Sequence, residues 1–491
     1  MVFNNDSTVQ NNGLNQLFLV KYSGSTGNVL WAKSIGADNQ YDHAANCDDC
    51  ESSFKLAYDS AANAVYMTGT LFGVTNFGST VVMGQGIMFL TKIDLSGNFI
   101  WTQTVQALGM YRIFNQQILT DKPGNIYISG LGLDSMQFGA HKLPAGGYVA
   151  KYNSSGTCIW AQGQKNTGFT SMAIYDNDIY GLGDIKNDTV IIGGTSYTFT
   201  FSPSGISKTV FLARMDSTSH VKWIKFIPST NYCSSSYLIH DAVSLYITGI
   251  FQTDITIGSS TFTNSPSNYD MFLAKVDTAG NIKWAQQANA TSSVFPASMV
   301  NDASGNFYVS GNMRGTITFG SSSYTSTGLG YLARFDTSGA CIGIIGGGGY
   351  IAEDNSGNFF VTNVFYNTLT INSNTYTAPT TSPPNSDVFI AKHGAMTTGI
   401  EGRMAKTTNN QLLIYANPTA GKCNITIPDD FLNEKNLTLQ IFDTNGKVLQ
   451  NTKVDMSNES IKLNLEAEAK GTYNVILSNG IKSYTGKIIF E

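Results

Sequence analysis

Apolar residues along this chain come in short alternating runs. The most regular run is an aromatic residue, two residues that are apolar in all but one case, and a base. It recurs about every 60 residues, at 18–21, 89–92, 148–151, 211–214, 272–275, 331–334 and 389–392. Aromatic and β-branched residues in runs bounded by Gly and Asn predict strands. A repeat this regular predicts the architecture before any single residue is considered.

Each repeat contains two predicted hairpins. The base hairpin consists of the aromatic–base run, a Gly-Asn turn and a run with tryptophan, as in residues 272–285. The Asp hairpin consists of an apolar run ending in Asp, a Ser-Gly-Asn turn and a run ending in Gly; its copies include 121–130, 302–311 and 354–362, with degraded versions at Asp59, Asp176 and Asp241. Four short strands per repeat, without helical periodicity, predict one β-propeller blade each.

The repeated polar and aromatic residues have predictable structural roles. All five tryptophans follow their aromatic residue by 12 or 13 positions, and this shared register favours packing between blades over ligand binding. Each Asp before a Gly-Asn turn is expected to cap its own turn, with Ca²⁺ coordination as the alternative. The bases are expected to extend along apolar surface or to pair with turn carboxylates such as Asp277 or Asp336.

The repeat inventory predicts an all-β fold in which residues 1–393 form a β-propeller. Six Asp hairpins, seven aromatic–base strands and six following strands favour seven blades, with six as the alternative. Phe3 aligns with Phe77 and Phe319, so the first repeat is incomplete, and a segment further upstream is expected. Closure by strands from both ends is the other interpretation. Residues 1–393 resemble the SBBP-type β-propeller repeats of Bacteroidota surface proteins, which implies a surface protein of this architecture.

Composition narrows the class of protein. Only 13% of the 491 residues are charged, 49 are Gly, and the net charge is −5 without a basic run, which argues against nucleic-acid binding. No run approaches 18 apolar residues, so no membrane span is expected. The polar, uncharged composition of the whole chain is typical of exported all-β proteins. Met1 and the residues after it nevertheless lack the features of a signal peptide.

Charge density changes in the last part of the chain. Residues 1–393 hold 43 charged side chains, whereas the 80 residues of 412–491 hold 17. Residues 394–411 are small and polar and predict a linker, in which 400–403 match a factor Xa cleavage tetrapeptide. Residues 412–491 contain about seven short alternating runs with turns at 445–446 and 479–480, which predict a small Ig-like β-sandwich.

Residues 412–491 also resemble the type A C-terminal sorting domain of the type IX secretion system. The family's ordered motifs match residues 415–422, 441–448, 469–476 and 485–491, with Ala416 and Phe490 as departures. The resemblance implies the sorting-signal residues Asn417, Pro418, Gly421, Asp443, Gly446, Lys447, Gly471, Tyr473, Lys487, Ile488 and Ile489. It further implies export across the outer membrane to the cell surface or the extracellular space, with the translocon and its sortase or attachment machinery as partners.

No catalytic, cofactor or metal residues are predicted. The segments 94–101 and 277–284 have one residue too many on both sides of the Gly for a sialidase Asp-box. The sequence therefore favours a non-enzymatic surface or secreted protein that binds an unidentified surface ligand, for which a glycan is one candidate. The alternative is a polysaccharide hydrolase or lyase on a propeller scaffold.

We predict that Cys47 and Cys50 form a disulfide in the exported protein, because the compartment is oxidising and the intervening loop is polar. A metal site at these cysteines is the alternative, but it would need two further ligands. Intact-mass measurement after alkylation checks the pairing: both thiols should resist labelling until a reductant is added. Labelling of both thiols without reductant would show that the two cysteines are not disulfide-bonded.

Overall fold

The structure, a computed structural model, consists of strands and turns. It describes residues 2–3, 7–8, 17–25, 27–35, 37–38, 54–109, 113–185, 189–199, 209–241, 243–265, 267–302, 304–326, 330–354, 358–366, 368–371, 374–378, 386–393, 412, 414–415, 419–428, 431, 436–443, 446–454, 460–480 and 482–491. These residues contain no α-helix, and hence none that could cross a bilayer. The all-β prediction is confirmed. The chain divides into two compact units, Met1–His393 and Gly394–Glu491.

In the described residues the first unit contains seven main antiparallel sheets, numbered here in chain order, together with short two-stranded hairpins. A complete sheet contains an Asp hairpin (first and second strands) followed by a base hairpin (third and fourth strands), paired in that order. First strands occur in sheets 2–7: Lys55–Asp59, Ile113–Thr120, Phe169–Tyr175, Cys233–His240, Val294–Asn301 and Tyr350–Glu353. The second strands are Ala64–Phe77, Ile126–Gly132, Asp178–Ile185, Ser244–Phe251, Phe307–Met313 and Phe359–Tyr366.

Third strands occur in all seven sheets: Leu17–Tyr22, Thr80–Asp94, Gly146–Tyr152, Thr209–Met215, Asp270–Asp277, Tyr331–Phe335 and Ser386–His393. Fourth strands are described in sheets 1–6: Val29–Ile35, Phe99–Ala107, Cys158–Gln164, Val221–Ile227, Ile282–Ala290 and Cys341–Gly346. In the described residues sheet 1 therefore contains only a base hairpin, and sheet 7 contains three strands.

A side hairpin lies between the second and third strands of most sheets. Its strands are Val2–Phe3 with Ser7–Thr8, Met136–Phe138 with His141–Leu143, Thr189–Ile192 with Thr195–Thr198, Asp254–Ile257 with Ser260–Thr263, Thr316–Phe319 with Ser322–Thr325, and Thr368–Ile371 with Asn374–Thr377. In sheet 2 the second and third strands are long enough to form the side hairpin themselves. The fourth strand of sheet 2 pairs with the side hairpin of sheet 3 (Ala107 with Met136), and the fourth strand of sheet 5 pairs with the side hairpin of sheet 6 (Ala290 with Ile317). Ala37–Asp38 pairs with the second strand of sheet 2.

The core of the first unit lies between successive sheets. In one cluster, Met271 and Leu273 of sheet 5 pack with Met299 and Val309 of sheet 6, and all four are almost fully buried. Equivalent clusters join sheets 2 and 3 and sheets 4 and 5. Because a sheet that is apolar on both faces must be covered on both sides, each sheet is stabilised by its neighbours.

The hairpin turns follow from their residues. The Oδ1 of Asp302 accepts N–H bonds from Ser304 and Asn306, and Gly305 adopts φ 83°, which favours glycine. Asp94, Asp121, Asp277, Asp336 and Asp354 cap their turns in the same way. Capping is therefore confirmed for these residues. The degraded copy in sheet 4 differs, because Asp176 and Asn177 both have positive φ and form a two-residue turn.

The described residues of the second unit contain seven strands in two sheets. The strands are Ile414–Tyr415, Lys422–Thr426, Leu437–Phe442, Val448–Val454, Ser460–Asn464, Gly471–Ser478 and Ser483–Phe490. The first, second and fifth form a three-stranded sheet, and the others form a four-stranded sheet. Alternate residues such as Leu437, Leu439 and Ile441 point into one buried core shared by both sheets.

Candidate functional site

A row of three side chains crosses the second, third and fourth strands of most sheets at one register. In sheet 5, Tyr246 pairs with Lys275, which pairs with Trp284. The ammonium lies 5.1 Å from the tyrosine ring centroid, and the tyrosine and indole centroids are 6.2 Å apart. Sheets 2, 3 and 4 repeat the tyrosine–base–tryptophan row. Cation–π contact therefore holds each base beside its aromatic neighbours.

The indole of each row reaches the following sheet. Every tryptophan Nε1 donates to a backbone carbonyl in the next base-hairpin turn, at the position directly after the turn's first residue. The pairs are Trp31 to Leu95 (3.0 Å), Trp101 to Ser154 (3.2 Å), Trp160 to Ser217 (3.0 Å), Trp223 to Thr278 (3.2 Å) and Trp284 to Thr337 (3.4 Å). The prediction that the tryptophans pack between repeats is confirmed.

Several bases donate to the same carbonyl as the indole. Lys21 Nζ reaches Leu95 O at 2.9 Å, and Lys275 Nζ reaches Thr337 O at 3.1 Å. The expected pairing with turn carboxylates is found in the Asp hairpins: Arg334 Nη2 lies 3.6 Å from Asp302 Oδ2, and Lys392 Nζ lies 3.8 Å from Asp354 Oδ2. Asp277, one of the carboxylates named for this pairing, has another partner. The Oδ2 of Asp277 lies 2.8 Å from Lys283 Nζ of its own hairpin instead.

The base-hairpin turns are shaped to receive the indole. A Cβ on Gly97 would lie 3.2 Å from the Trp31 ring, so the indole packs directly against the glycine backbone, where a side chain would crowd it. Gly156, Gly280 and Gly339 have the same relation to the tryptophan of the preceding sheet, and Ser219 with φ 75° stands at this position in sheet 4. Glycine therefore supplies both the positive φ and the space.

Hydrogen bonds within these turns lower the pKa of the capping carboxyls. The Asn98 backbone N–H, its side-chain amide and the Ser96 N–H hold the pKa of Asp94 below its usual value. The Ser338 hydroxyl leads the groups that lower the pKa of Asp336, and the Thr218 hydroxyl does so for Asp216. The pKa of Asp277 also falls, because bonds from Lys283 and Asn281 outweigh the opposing effect of desolvation. These four turns are therefore fastened best by an ionised carboxylate.

We call the contact between the indole or base of one sheet and the turn carbonyl of the next sheet the junction. One copy of the junction joins the last sheet to the first. Lys392 Nζ donates to Gly24 O at 2.7 Å, across 368 residues of sequence. Gly24 directly follows Ser23, the first residue of the sheet 1 turn, so this carbonyl is equivalent to those of Leu95 and Thr337. Phe360 approaches the same glycine. Sheet 7 therefore lies beside sheet 1.

The sorting-signal residues in the second unit occupy turns and strand ends. Asp443 Oδ1 accepts the Lys447 N–H at 2.9 Å, and Gly446 has φ 82°, so the predicted turn forms. Gly421 has φ 117° at the entry to its strand. The Tyr473 ring is buried and its hydroxyl donates to Ala469 O, close to Gly471. Asn417 and Pro418, like Cys47 and Cys50, lie outside the described residues.

The terminal strand is held on both sides. It pairs with Gly471–Ser478 on one side, while Leu412 N donates to Thr485 O and Thr419 N donates to Ile489 O on the other. Ile488 is buried in the core, whereas Ile489 and Lys487 are exposed. Of these two sorting-signal isoleucines, only Ile488 therefore faces the core. Successive residues of a strand face opposite sides, so only one of the two can be inside.

Comparison with known proteins identifies this module. Residues 413–491 match the family model described as the secretion system C-terminal sorting domain. The second unit is a type IX sorting domain. It directs export to the cell surface or the extracellular space, so the predicted localisation is confirmed. The sorting domain also implies interaction with the secretion machinery.

More distant similarities are found over other parts of the chain. A stretch of 200 residues is 26% identical to an uncharacterized WD repeat-containing protein, L264, of Acanthamoeba polyphaga mimivirus; it covers 37% of this chain and 14% of the length of that relative. The extracellular domain of the hybrid two-component system BT4673 of B. thetaiotaomicron aligns over 97% of this chain and 80% of its own, with 11% identity and a TM-score of 0.17. The BSP domain of a biofilm-associated protein aligns over 89% and 95%, with 8% identity and a TM-score of 0.15. TM-scores this low carry no argument.

The junction predicts a matched pair of stability effects. Trp160→Phe removes the N–H bond to Ser217 O and should lower the free energy of unfolding by about 1–2 kcal/mol, and Trp160→Ala by about 2–4 kcal/mol. Ile159→Ala, at the exposed neighbouring residue, should change it by about 0.5 kcal/mol or less. Chemical denaturation followed by circular dichroism measures all three. Equal effects at the two positions would refute the junction's role.

The turn carboxylates predict an acid-dependent stability. A pKa lowered by folding means that the unfolded chain binds more protons, so stability is complete above about pH 5 and falls as pH drops through about 4 and below. Replacing Asp94, Asp216, Asp277 and Asp336 by Asn should flatten this pH dependence. Asn153 already makes the same turn bonds in sheet 3, so the fold should survive. Denaturation midpoints between pH 2 and 7 provide the measurement, and an unchanged slope would contradict the assignment.

The export role of the sorting domain predicts opposite outcomes for two neighbouring substitutions. In a type IX-competent host, Ile488→Lys should leave the protein in the periplasm, because a charge in this core costs far more than the roughly 1.5–3 kcal/mol that burial of the isoleucine contributes. Ile489→Lys, on the exposed face, should reach the cell surface. Surface labelling and periplasmic fractionation distinguish the outcomes. Delivery of both variants would mean that export does not depend on the folded module.

Proposed function

We propose that residues 1–393 form a seven-bladed, SBBP-type β-propeller that serves as a rigid, non-enzymatic binding ring on or outside the cell. The observation that carries the ring is the bond from Lys392 to Gly24 O. It reproduces, between the two ends of the unit, the contact that Lys21 and Lys275 make with the following sheets. An open stack of sheets would leave the last base and the first turn far apart.

Two further observations support the propeller. Successive sheets from 2 to 6 pack on each other through repeated side-chain positions, as blades do around a ring. The relative from mimivirus carries WD repeats in its name, and WD repeats are propeller blades. The two sheets and single core of the sorting domain are consistent with an Ig-like sandwich.

The carboxylates of the described sheets support a non-enzymatic role. Four aspartates of the base-hairpin turns, Asp94, Asp216, Asp277 and Asp336, have lowered pKa values, the reverse of what general acids need. Burial raises the pKa of the Asp270 carboxyl, but its oxygens accept bonds from Gln287 Nε2 at 2.5 Å and from Ala290 N at 3.2 Å. These contacts tie Asp270 to the adjacent strand, which is a structural role.

A row of aromatic side chains offers a binding surface for a glycan. Tyr232, Tyr269 and Phe295 lie at the strand ends of sheets 5 and 6, with ring centroids 5.4 Å and 5.6 Å apart. Phe295 is exposed, and Tyr232 and Tyr269 are partly exposed. Aromatic rings present large rigid apolar faces and, in tyrosine, a polar hydroxyl, a combination that suits the apolar faces and hydroxyls of sugars.

A glycan array with the full chain, run beside an activity screen on the same polysaccharides, tests this function. We expect binding without cleavage, and loss of about tenfold or more in affinity for Tyr269→Ala. Tyr376→Ala, at an exposed tyrosine on the side hairpin of sheet 7, should bind normally. Cleavage of a bound polysaccharide would favour the hydrolase or lyase, and electron-microscopy class averages without a closed seven-part ring would refute the propeller.

A further inference from the structure

The first strand of sheet 2 exposes an apolar residue that its counterparts bury. In sheets 3–7 the residue at the same register of the first strand is buried: Ile118 is 3% exposed, Met172 1%, Leu238 2%, Met299 4% and Ile351 7%. The first four of these pack in clusters shared with the preceding sheet. In sheet 2 this residue is Leu56, which is 54% exposed. The preceding sheet is sheet 1, whose described residues include only a base hairpin.

The face of sheet 7 that points towards sheet 1 is exposed in the same way. Met271 and Leu273 of sheet 5 are fully buried against sheet 6, but their equivalents in sheet 7, Val388 and Ile390, are 42% and 46% exposed. Val364, which pairs with Val388 on the neighbouring strand, is 45% exposed. Apolar side chains this exposed, on one face of adjacent strands, mark an interaction surface.

Tyr350 adds a polar group to this face. At the equivalent position Gln117 Oε1 accepts the Met172 N–H, Tyr237 OH donates to Ala297 O, and Ser298 Oγ donates to Ile351 O at 3.4 Å. Each of these bonds joins one first strand to the backbone of the next. Tyr350 is 60% exposed, so its hydroxyl is available for the same bond to a strand placed beside it.

These residues border one slot between sheets 7 and 2. The bond from Lys392 to Gly24 places sheet 7 next to sheet 1, and Leu19 of sheet 1 packs in the core of sheet 2. Within the described chain the third strand of sheet 1, Leu17–Tyr22, pairs with Val29–Ile35 alone. The edge that faces the slot is the edge to which a second strand pairs in the other six sheets.

We propose that this slot is a docking site for a β-hairpin, and that its occupant is a further copy of the repeat's own Asp hairpin. The hairpin would add two strands to sheet 1 by β-augmentation and cover Leu56 on one side and Val388 and Ile390 on the other. The repeat itself specifies the occupant, because an Asp hairpin fills the equivalent place in six sheets. This inference rests on the proposed ring but not on glycan binding.

A synthetic peptide with the sequence of residues 294–313, the Asp hairpin of sheet 6, is the probe. Added to the full chain, it should bind with 1:1 stoichiometry in calorimetry and slow amide hydrogen exchange in residues 17–22. Ile390→Lys should weaken binding about tenfold or more, because it places a charge on an apolar wall. Val81→Lys, at an exposed apolar residue of the sheet 2 side hairpin, is the matched control and should bind as the parent does.

A second experiment, in which the peptide is covalently joined to the chain, tests the same docking if the free peptide does not fold by itself. Residues 294–313 joined through a flexible Gly-Ser linker to the start of the chain should raise the midpoint of thermal unfolding, and Ile390→Lys should cancel the rise. No binding and no rise, or the same effect with Ile390→Lys, would overturn the proposal. A homodimer abolished by Ile390→Lys would also overturn it, since a second copy would then occupy the slot. If the chain binds the peptide but no glycan on the array, the docking site is supported and only the proposed glycan binding is contradicted.

Discussion

In sheets 2–6 a single backbone carbonyl of the base-hairpin turn accepts a hydrogen bond from the preceding sheet's indole, and in several of them from its base as well. At the Thr278 carbonyl the donors are Trp223 Nε1 and Arg214 Nη1, at 3.2 Å and 3.0 Å. Both donors are fixed before they reach the carbonyl, because Tyr180 lies against the guanidinium and the indole in the same cross-strand row. The packed cores between sheets depend on the spacing that this contact sets.

The acceptor side of the contact explains the turn sequence. A carbonyl can point towards the neighbouring sheet only if the turn is held rigidly, and the capping aspartate does this through two N–H groups. The glycine that follows leaves space for the indole ring. Asp, Gly and Trp therefore recur together because they form two halves of one junction, although the tryptophan belongs to a different sheet from the turn it contacts.

Much of this arrangement could be predicted from periodicity. Alternating runs fix the strands, and the common register of the tryptophans indicates a common packing role. The backbone partners of the bases could not be predicted, because a backbone carbonyl has no signature in the sequence, whereas turn carboxylates such as Asp302 and Asp354 do. The same limit applies to Ile488 and Ile489, since a run of adjacent apolar residues does not reveal which one faces the core. The aromatic row of Tyr232, Tyr269 and Phe295 was also missed, because its members come from different strands and no spacing links them.

The separation of the junction into a donor half and an acceptor half has a consequence for how such proteins grow. The repeats of sheets 1–5 each carry both halves, a base-hairpin turn and a tryptophan, so two such copies fit together without any change in either. Duplication of one repeat would therefore create a working interface at once, and loss of one would rejoin its neighbours by the same bonds. Sequence change is then free to accumulate at the strand ends and side hairpins. Repeat number and surface chemistry can evolve independently of the contact that holds the repeats together.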